Sequence, residues 1–272
     1  MENRPACSPE HVAAMGTDEL RARFLVENLF TPGEVTLVHS HHDRVVVGGV
    51  QVAGREVALV AADALRADHF LQRREVGIVC VAGSGTVRAG GRSWELPTGA
   101  CLYLGRGVPD VVFAGDDARF YLVSTPAHAE FPAALVLPGE GTIKQLGDQE
   151  HTNRRTLNQY IHRDGVRSCQ LVMGVTRLES GSVWNTMPAH THDRRTEVYL
   201  YFDLAADARV IHLMGEPRNS RHLVVANEQA VISPSWSVHS GVGTSSYAFV
   251  WAMAGENQAF DDMDPCPVTD MR

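Results

Sequence analysis

The stretch that decides the reading is Pro188-Ala189-His190-Thr191-His192-Asp193-Arg194-Arg195-Thr196-Glu197. In an extended chain successive side chains alternate sides, so His190 and His192 point the same way. Glu197 opens an apolar run, Val198-Tyr199-Leu200-Tyr201-Phe202, and has the opposite parity to the histidines. A turn or bulge between Asp193 and Thr196 is therefore required for all three to converge. Farther on, Pro234-Ser235-Trp236-Ser237-Val238-His239 supplies a fourth candidate ligand. Three imidazoles and one carboxylate suit a divalent first-row metal, with positions left open for substrate or water.

Outward from this segment, short alternating runs rich in Val, Leu, Tyr and Phe recur along most of the chain. Glycine-bearing turns such as Ala82-Gly83-Ser84-Gly85 and Ser240-Gly241-Val242-Gly243 interrupt them. Many short strands at such spacing predict an all-β sandwich or barrel. Helical periodicity is weak, and the best helix starts at Thr17-Asp18-Glu19-Leu20 and runs to about Asn28. Residues 125–150 carry several prolines and glycines and read as an ordered connection, which divides the chain into halves 1–150 and 151–272. The halves resemble each other. Arg73-Arg74-Glu75-Val76 matches Arg194-Arg195-Thr196-Glu197-Val198, and each is followed by a second strand. Glu75 precedes Ala100 by 25 residues and Glu197 precedes Ala230 by 33, a difference that an extra hairpin in the second half would explain. The expectation is a duplicated barrel with metal in the second copy only, because Pro109 stands where His239 would fall and no His-x-His precedes Arg73 at a matching place.

Composition narrows the function. With 44% hydrophobic residues, the 272-residue chain can bury a large core, and its net charge of −8 argues against nucleic acid as a partner. Lys144 is the single lysine, in an unremarkable stretch, so Schiff-base chemistry has little to rest on. Five widely spaced cysteines without a Cys-x-x-Cys pair are typical of a reducing compartment. Residues 1–20 lack a signal-peptide pattern, and no run reaches membrane-spanning length, so a cytoplasmic protein is expected.

His-x-His-x4-Glu followed some 40 residues later by Pro-x4-His resembles the two metal motifs of the cupin superfamily. The strings Trp184-Asn185-Thr186-Met187-Pro188, Asn227-Glu228-Gln229-Ala230-Val231-Ile232-Ser233-Pro234-Ser235-Trp236, His239-Ser240-Gly241-Val242-Gly243-Thr244 and Gly255-Glu256-Asn257-Gln258 are similar to the 5-keto-4-deoxyuronate isomerase family. So are Arg23-Phe24-Leu25-Val26-Glu27, Asp43-Arg44 with Val47-Gly48-Gly49, Arg73-Arg74-Glu75 and Asn153-Arg154-Arg155-Thr156, so the likeness runs through nearly the whole chain. It implies a bicupin, two double-stranded β-helix (jelly-roll) barrels with short helices. It also implies one zinc ion on His190, His192, Glu197 and His239, a homohexamer, and an aldose–ketose isomerase of pectin-derived uronates. An iron-dependent cupin dioxygenase and a non-catalytic sugar-acid-binding bicupin are the alternatives.

The catalytic base is open among Glu197, Glu228 and Glu256, with His222 and Tyr199 also able to move protons. Arg154 and Arg155 offer guanidinium forks for a substrate carboxylate, as do Arg194 and Arg195, and Trp236 and Trp184 are candidate pocket walls. The cluster His39-Ser40-His41-His42 has no glutamate at ligand spacing before Glu56, so a surface or substrate-facing loop is expected there. Asp261-Asp262-Met263-Asp264 lacks the glycine and spaced glutamate of a calcium loop and reads as a solvated or interface acidic turn.

Overall fold

A computed structural model describes residues 1–272. Strand and turn patterning resolves into two barrels, each made of a seven-stranded and a four-stranded sheet. The central strands of the large sheets correspond, with Arg74–Ala82 held between Arg119–Pro126 and Cys101–Leu104 in the first barrel. In the second, Arg195–Phe202 is held between Ala248–Gly255 and Gln229–Ser233. Neighbouring strands within both large sheets are antiparallel, apart from the short Glu2–Arg4 strand, which pairs in parallel with Glu34–Ser40.

Strands buried on both faces read as continuous apolar runs, and here the two faces serve different cores. In Arg195–Phe202, Tyr199 and Tyr201 point into the second barrel, while Val198, Leu200 and Phe202 point toward the first. In Arg74–Ala82, Val76, Ile78 and Cys80 fill the first barrel, and Val79 and Val81 join the layer between barrels. That shared layer draws residues from both large sheets, which makes the two barrels one packed unit. At about 1.5–3 kcal/mol for each large apolar side chain fully buried, it is a major stabilising element. Gly77 marks a close approach, because a Cβ there would stand 2.5 Å from the Met173 sulfur.

The division between barrels is not a single cut. Ala134–Val136 closes the edge of the first large sheet, but Thr142–Leu146 already pairs with Arg155–Ile161 of the second. The N-terminal segment crosses over. Helices Pro9–Ala14 and Thr17–Phe24 pack on the second barrel's core, and Leu25–Val26 adds an edge strand beside Gln229–Ser233. The helix expected to reach Asn28 therefore stops at Phe24, where edge pairing with Ala230 and Val231 overrides helical propensity.

Both halves carry one hairpin between the compared strands, Ser84–Ala89 with Arg92–Pro97 and Val210–Glu216 with Asn219–Val225. No extra hairpin accounts for the longer spacing. The second half instead has a longer lead-in after Phe202 and longer hairpin strands.

The repeat also has a different register from the one the Arg-Arg motif suggests. Glu197 lies opposite Ser233 as Val76 lies opposite Leu104, so Val76 is the counterpart of Glu197. Glu75 is one residue out of phase, and a one-residue step moves a side chain to the other face of the sheet. It faces the second barrel, fully buried. Its Oε2 accepts from the Tyr103 hydroxyl and the Cys169 N–H, both at 2.7 Å. Its Oε1 accepts from the N–H groups of Gln170 and Leu171, both at 2.9 Å, and from the Thr125 hydroxyl at 3.1 Å.

Glu75→Gln turns an amide NH2 against backbone donors and removes the negative charge that satisfies them. A cost of about 2–3 kcal/mol follows, and calorimetry should record a Tm lower by roughly 5–10 °C. An unchanged Tm would mean that this carboxylate does not fasten the barrels together.

Candidate metal centre

The second barrel places His190, His192, Glu197 and His239 together, with their ligating atoms all within 4.8 Å of one another. Three local devices achieve this. His190–Thr191 forms a short antiparallel pair with Asp264–Pro265, and the Cys266 N–H donates to the Ala189 carbonyl at 2.9 Å, so the C-terminal tail fixes His190. The required turn lies at Asp193-Arg194, closed by the Arg195 N–H donating to the His192 carbonyl at 2.9 Å. Asp43 reaches from the first barrel and accepts from the Thr196 N–H at 2.8 Å, just ahead of Glu197.

The protons are constrained as well. His192 Nδ1 lies 2.9 Å from the Arg195 carbonyl and His239 Nδ1 lies 3.3 Å from the Ser237 carbonyl. Carbonyl oxygens only accept, so each Nδ1 carries the proton and each neutral ring turns an Nε2 lone pair inward. Those two Nε2 atoms both stand 2.9 Å from Glu197 Oε2, and His190 Nε2 stands 2.9 Å from His239 Nε2. Acceptors at hydrogen-bond distance, with their protons committed elsewhere, fit a cation at their centre. The set of three imidazoles and one carboxylate suits a first-row divalent ion.

When no cation is bound, Glu197 and His192 favour their charged forms and His190 its neutral one. Burial would raise the Glu197 carboxyl, but His239 and His192 outweigh it and hold the group well below the usual carboxylate range. Burial opposes charge on His192, yet the hydrogen bond and charge of Glu197 raise its pKa. Burial, aided by His239, pushes His190 down to about 3.

His190 and Glu197 open onto a cavity of about 260 Å³ with mostly apolar walls, among them Tyr199, Phe249, Trp251, Phe260 and Met263. Arg155 is its one cationic lining residue and has no carboxylate partner; its Nη1 donates to the Asn153 carbonyl at 2.7 Å. The Tyr199 hydroxyl shares a 3.0 Å hydrogen bond with Thr186, and burial pushes its pKa well above the ordinary value. The hydroxyl therefore stays protonated.

Other expected site residues lie elsewhere. Glu228 pairs with Arg119 at 2.6 Å, at the end of its strand farthest from Ser233, the residue that faces Glu197. Glu256 and His222 are exposed and do not line the cavity, nor do Arg154, Trp184 and Trp236. Trp236 packs on the second barrel's core cluster. Lys144 is exposed, with its ammonium 5.2 Å above the Phe260 ring. The His39 cluster ties down the N-terminus. His39 Nδ1 lies 3.2 Å from Asn3 Oδ1, and the Cys7 N–H donates to His42 Nε2 at 3.2 Å.

Arg194 and Arg195 hold the C-terminal segment that carries Phe260 and Met263. Arg194 binds Asp262 at 2.7 Å and Asp264 at 2.9 Å, and Arg195 donates to the carbonyls of Ala259 and Asp262. The acidic turn is thus one half of a clamp over the cavity. Sequence reasoning missed Phe260 and Met263, and a hydrophobic pair flanking an acidic turn was the available signal.

These features define a two-barrel protein of the cupin type with a single His3Glu cluster. Solved structures share the fold. An IolB-like protein from Salmonella typhimurium LT2 matches with TM-score 0.65 and 18% identity, over 79% of this chain and 85% of that one. Oxalate decarboxylase from Bacillus subtilis, an enzyme with Mn(II) centres, matches with TM-score 0.53 and 12% identity, over 79% and 70%. A KduI/IolB family profile matches residues 24–265, and this chain belongs to that family. Relatives named 4-deoxy-L-threo-5-hexosulose-uronate ketol-isomerase align over 100% of both chains. They are 58% identical in Kineococcus radiotolerans, 53% in Halalkalibacterium halodurans and 50% in Bacillus subtilis.

The clamp has a defined pH range. Asp262 is held down to about 2, chiefly by its hydrogen bonds with Arg194 and Asn257. A carboxyl depressed in the folded state stabilises above its unfolded pKa of about 3.9 and loses that contribution as pH falls through the folded value. Hydrogen exchange of residues 257–263, corrected for intrinsic rates, should therefore show constant protection from about pH 5 to 8. Asp262→Asn should lose protection at neutral pH, and equal protection in that variant would refute the clamp.

Proposed function

We propose that this chain is a metal-dependent ketol-isomerase converting 5-dehydro-4-deoxy-D-glucuronate to 3-deoxy-D-glycero-2,5-hexodiulosonate in uronate catabolism. Full-length relatives at 50–58% identity bear the ketol-isomerase name. The observation that carries the reading to this chain is one apolar cavity that opens both on the His190–Glu197 side of the cluster and on an unpaired Arg155. The substrate has matching ends, a C1 aldehyde beside a C2 alcohol and a C6 carboxylate.

Net reaction moves one hydrogen from C2 to C1 and one proton from the C2 hydroxyl to the C1 oxygen, so the aldehyde becomes a primary alcohol and C2 becomes a ketone. A divalent ion on His190, His192, Glu197 and His239, zinc in this reading, supplies Lewis acidity toward vicinal oxygens without redox chemistry. Arg155 receives the C6 carboxylate, since a guanidinium fork matches its geometry. Glu197 is the only carboxylate lining the cavity, and with Oε2 committed to the histidine cluster we assign the transfer of the proton between C2 and C1 to its other oxygen, Oε1. Tyr199, kept protonated by burial, donates a hydrogen bond to a substrate oxygen. The walls Phe249, Trp251 and Phe260 exclude water, which strengthens each of these interactions. No helix is long and apolar enough to cross a membrane. The reading carries with it a cytoplasmic homohexamer. The dioxygenase and non-catalytic alternatives lose ground to the isomerase names of the full-length relatives.

The decisive experiment assays freshly generated substrate with untreated, chelator-stripped and zinc-restored protein, alongside His239→Ala, and measures bound metal in each. Activity should follow metal content, at one ion per chain in untreated protein and none in the variant. Metal-loaded, folded protein without turnover would overturn the isomerase reading. Arg155→Gln should keep its metal yet lose roughly 100-fold in kcat/KM. Arg154→Gln should stay within about twofold of the parent, and equal losses in both variants would remove Arg155 from the carboxylate subsite.

A further inference from the structure

The first barrel has no metal ligands at the position of the cluster, yet its corresponding mouth is not featureless. Arg74 opens the strand Arg74–Ala82 as Arg195 opens Arg195–Phe202, two residues before Val76 and Glu197 respectively. At this end of the first barrel lies a cavity of about 390 Å³ lined by Arg73, Arg74, Arg106, His128 and Phe70, with no carboxylate in its wall. None of the three arginines makes an ion pair. In a chain of net charge −8, three unneutralised guanidinium groups around one hollow call for a compensating charge.

Arg74 is the sharpest case. It is 7% exposed, and its Nε and Nη2 donate to Ser124 Oγ, the Ser124 carbonyl and the Arg44 carbonyl at 2.7–3.0 Å. Its Nη1 makes no hydrogen bond within the chain, although the side chain lines the cavity. A buried cation without a counter-charge is costly, because desolvation is repaid only by an opposite charge in good geometry. Burial alone pushes Arg74 down to about 10. Arg73 donates to the carbonyls of Leu65 and Arg66, and Arg106 to that of His128 at 3.1 Å, which orients both groups and leaves donors free.

We propose that the mouth of the first barrel is a second ligand site, which binds a small anion through its carboxylate or phosphate group on Arg73, Arg74 and Arg106. The duplicated fold thus uses corresponding barrel ends for two recognition chemistries, an acceptor cluster for a cation and a donor cluster for an anion. The site is separate from the isomerase cavity and is formed by residues that take no part in that reaction.

Isothermal titration of the full chain with inorganic phosphate, and separately with D-glucuronate, tests this. Arg155→Gln removes the carboxylate subsite of the isomerase cavity and should retain saturable binding at one equivalent per chain. Arg73→Gln with Arg106→Gln should weaken that binding at least about tenfold while leaving isomerase turnover unchanged. Tighter phosphate binding would identify a phosphoryl ligand, and tighter glucuronate binding a sugar acid; either supports the site. If the double variant does not fold, Arg106→Gln alone should show the same direction of change, since its one side-chain hydrogen bond is to a loop carbonyl. Three results would overturn the proposal: undiminished binding in the folded arginine variants, no saturation up to roughly 10 mM, or dissociation of the assembly in the variants. The last would mean that the arginines face an acidic group of another copy.

Discussion

Everything at the centre of the second barrel follows from holding acceptor atoms where they repel one another. Two imidazole nitrogens with committed Nδ1 protons share one carboxylate oxygen at 2.9 Å, and a third imidazole presses on one of them at the same distance. Such a group would spread apart on flexible chain. It stays because Glu197 rides on the fully buried strand Arg195–Phe202 and Ser237, two residues before His239, is buried against Gly215, whose N–H donates to its hydroxyl at 2.9 Å. The C-terminal tail pins His190 from outside. Preorganisation of this kind shifts the cost of convergence from ligand binding to folding, where many apolar contacts share it.

The first barrel serves the same purpose. Its interior is filled with aliphatic and aromatic side chains, so it is a rigid body and not a second reaction vessel. It lends Asp43 to the backbone just ahead of Glu197 and uses Glu75 to grip residues 169–171. The N-terminal helices complete the exchange by covering the second barrel's core. Each barrel is thus completed by residues of the other, and their cores meet in one shared layer.

Much of this was legible in the sequence, for identifiable reasons. The grouping of His190, His192, Glu197 and His239 could be read because parity, a forced turn and a distant Pro-x4-His motif are local patterns. Barrel class and duplication followed from strand spacing. The phase of the repeat could not be read, because Arg-Arg-Glu and Arg-Arg-Thr-Glu look alike while a one-residue step puts Glu75 and Glu197 on opposite faces. Cavity walls were hidden for a related reason. Phe249 and Trp251 belong to a strand that reads as ordinary core, and Phe260 becomes a wall only because Arg194 and Asp262 fold its segment inward. Glu228 and Glu256 sit inside motif-like strings, but sequence proximity to a motif does not say which end of a barrel a side chain occupies.

Charge placement then explains how an acidic chain receives an acidic substrate. Arg194 is saturated by Asp262 and Asp264, and Arg119 by Glu228, so neither offers a free positive site. Arg155 lacks any such partner and lines the one cavity that also reaches Glu197. Its guanidinium is partly desolvated, which lowers its pKa in direction but leaves it cationic, and which strengthens its attraction for a carboxylate that enters. A negative surface slows the approach of an anion, yet a single unpaired arginine inside an apolar wall fixes the orientation of one that arrives. On the proposed reading, a uronate whose carboxylate sits at Arg155 can turn its opposite end toward Glu197 and the histidines. Recognition at one end and chemistry at the other follow, on that reading, from Arg155 being the unpaired arginine that lines this cavity.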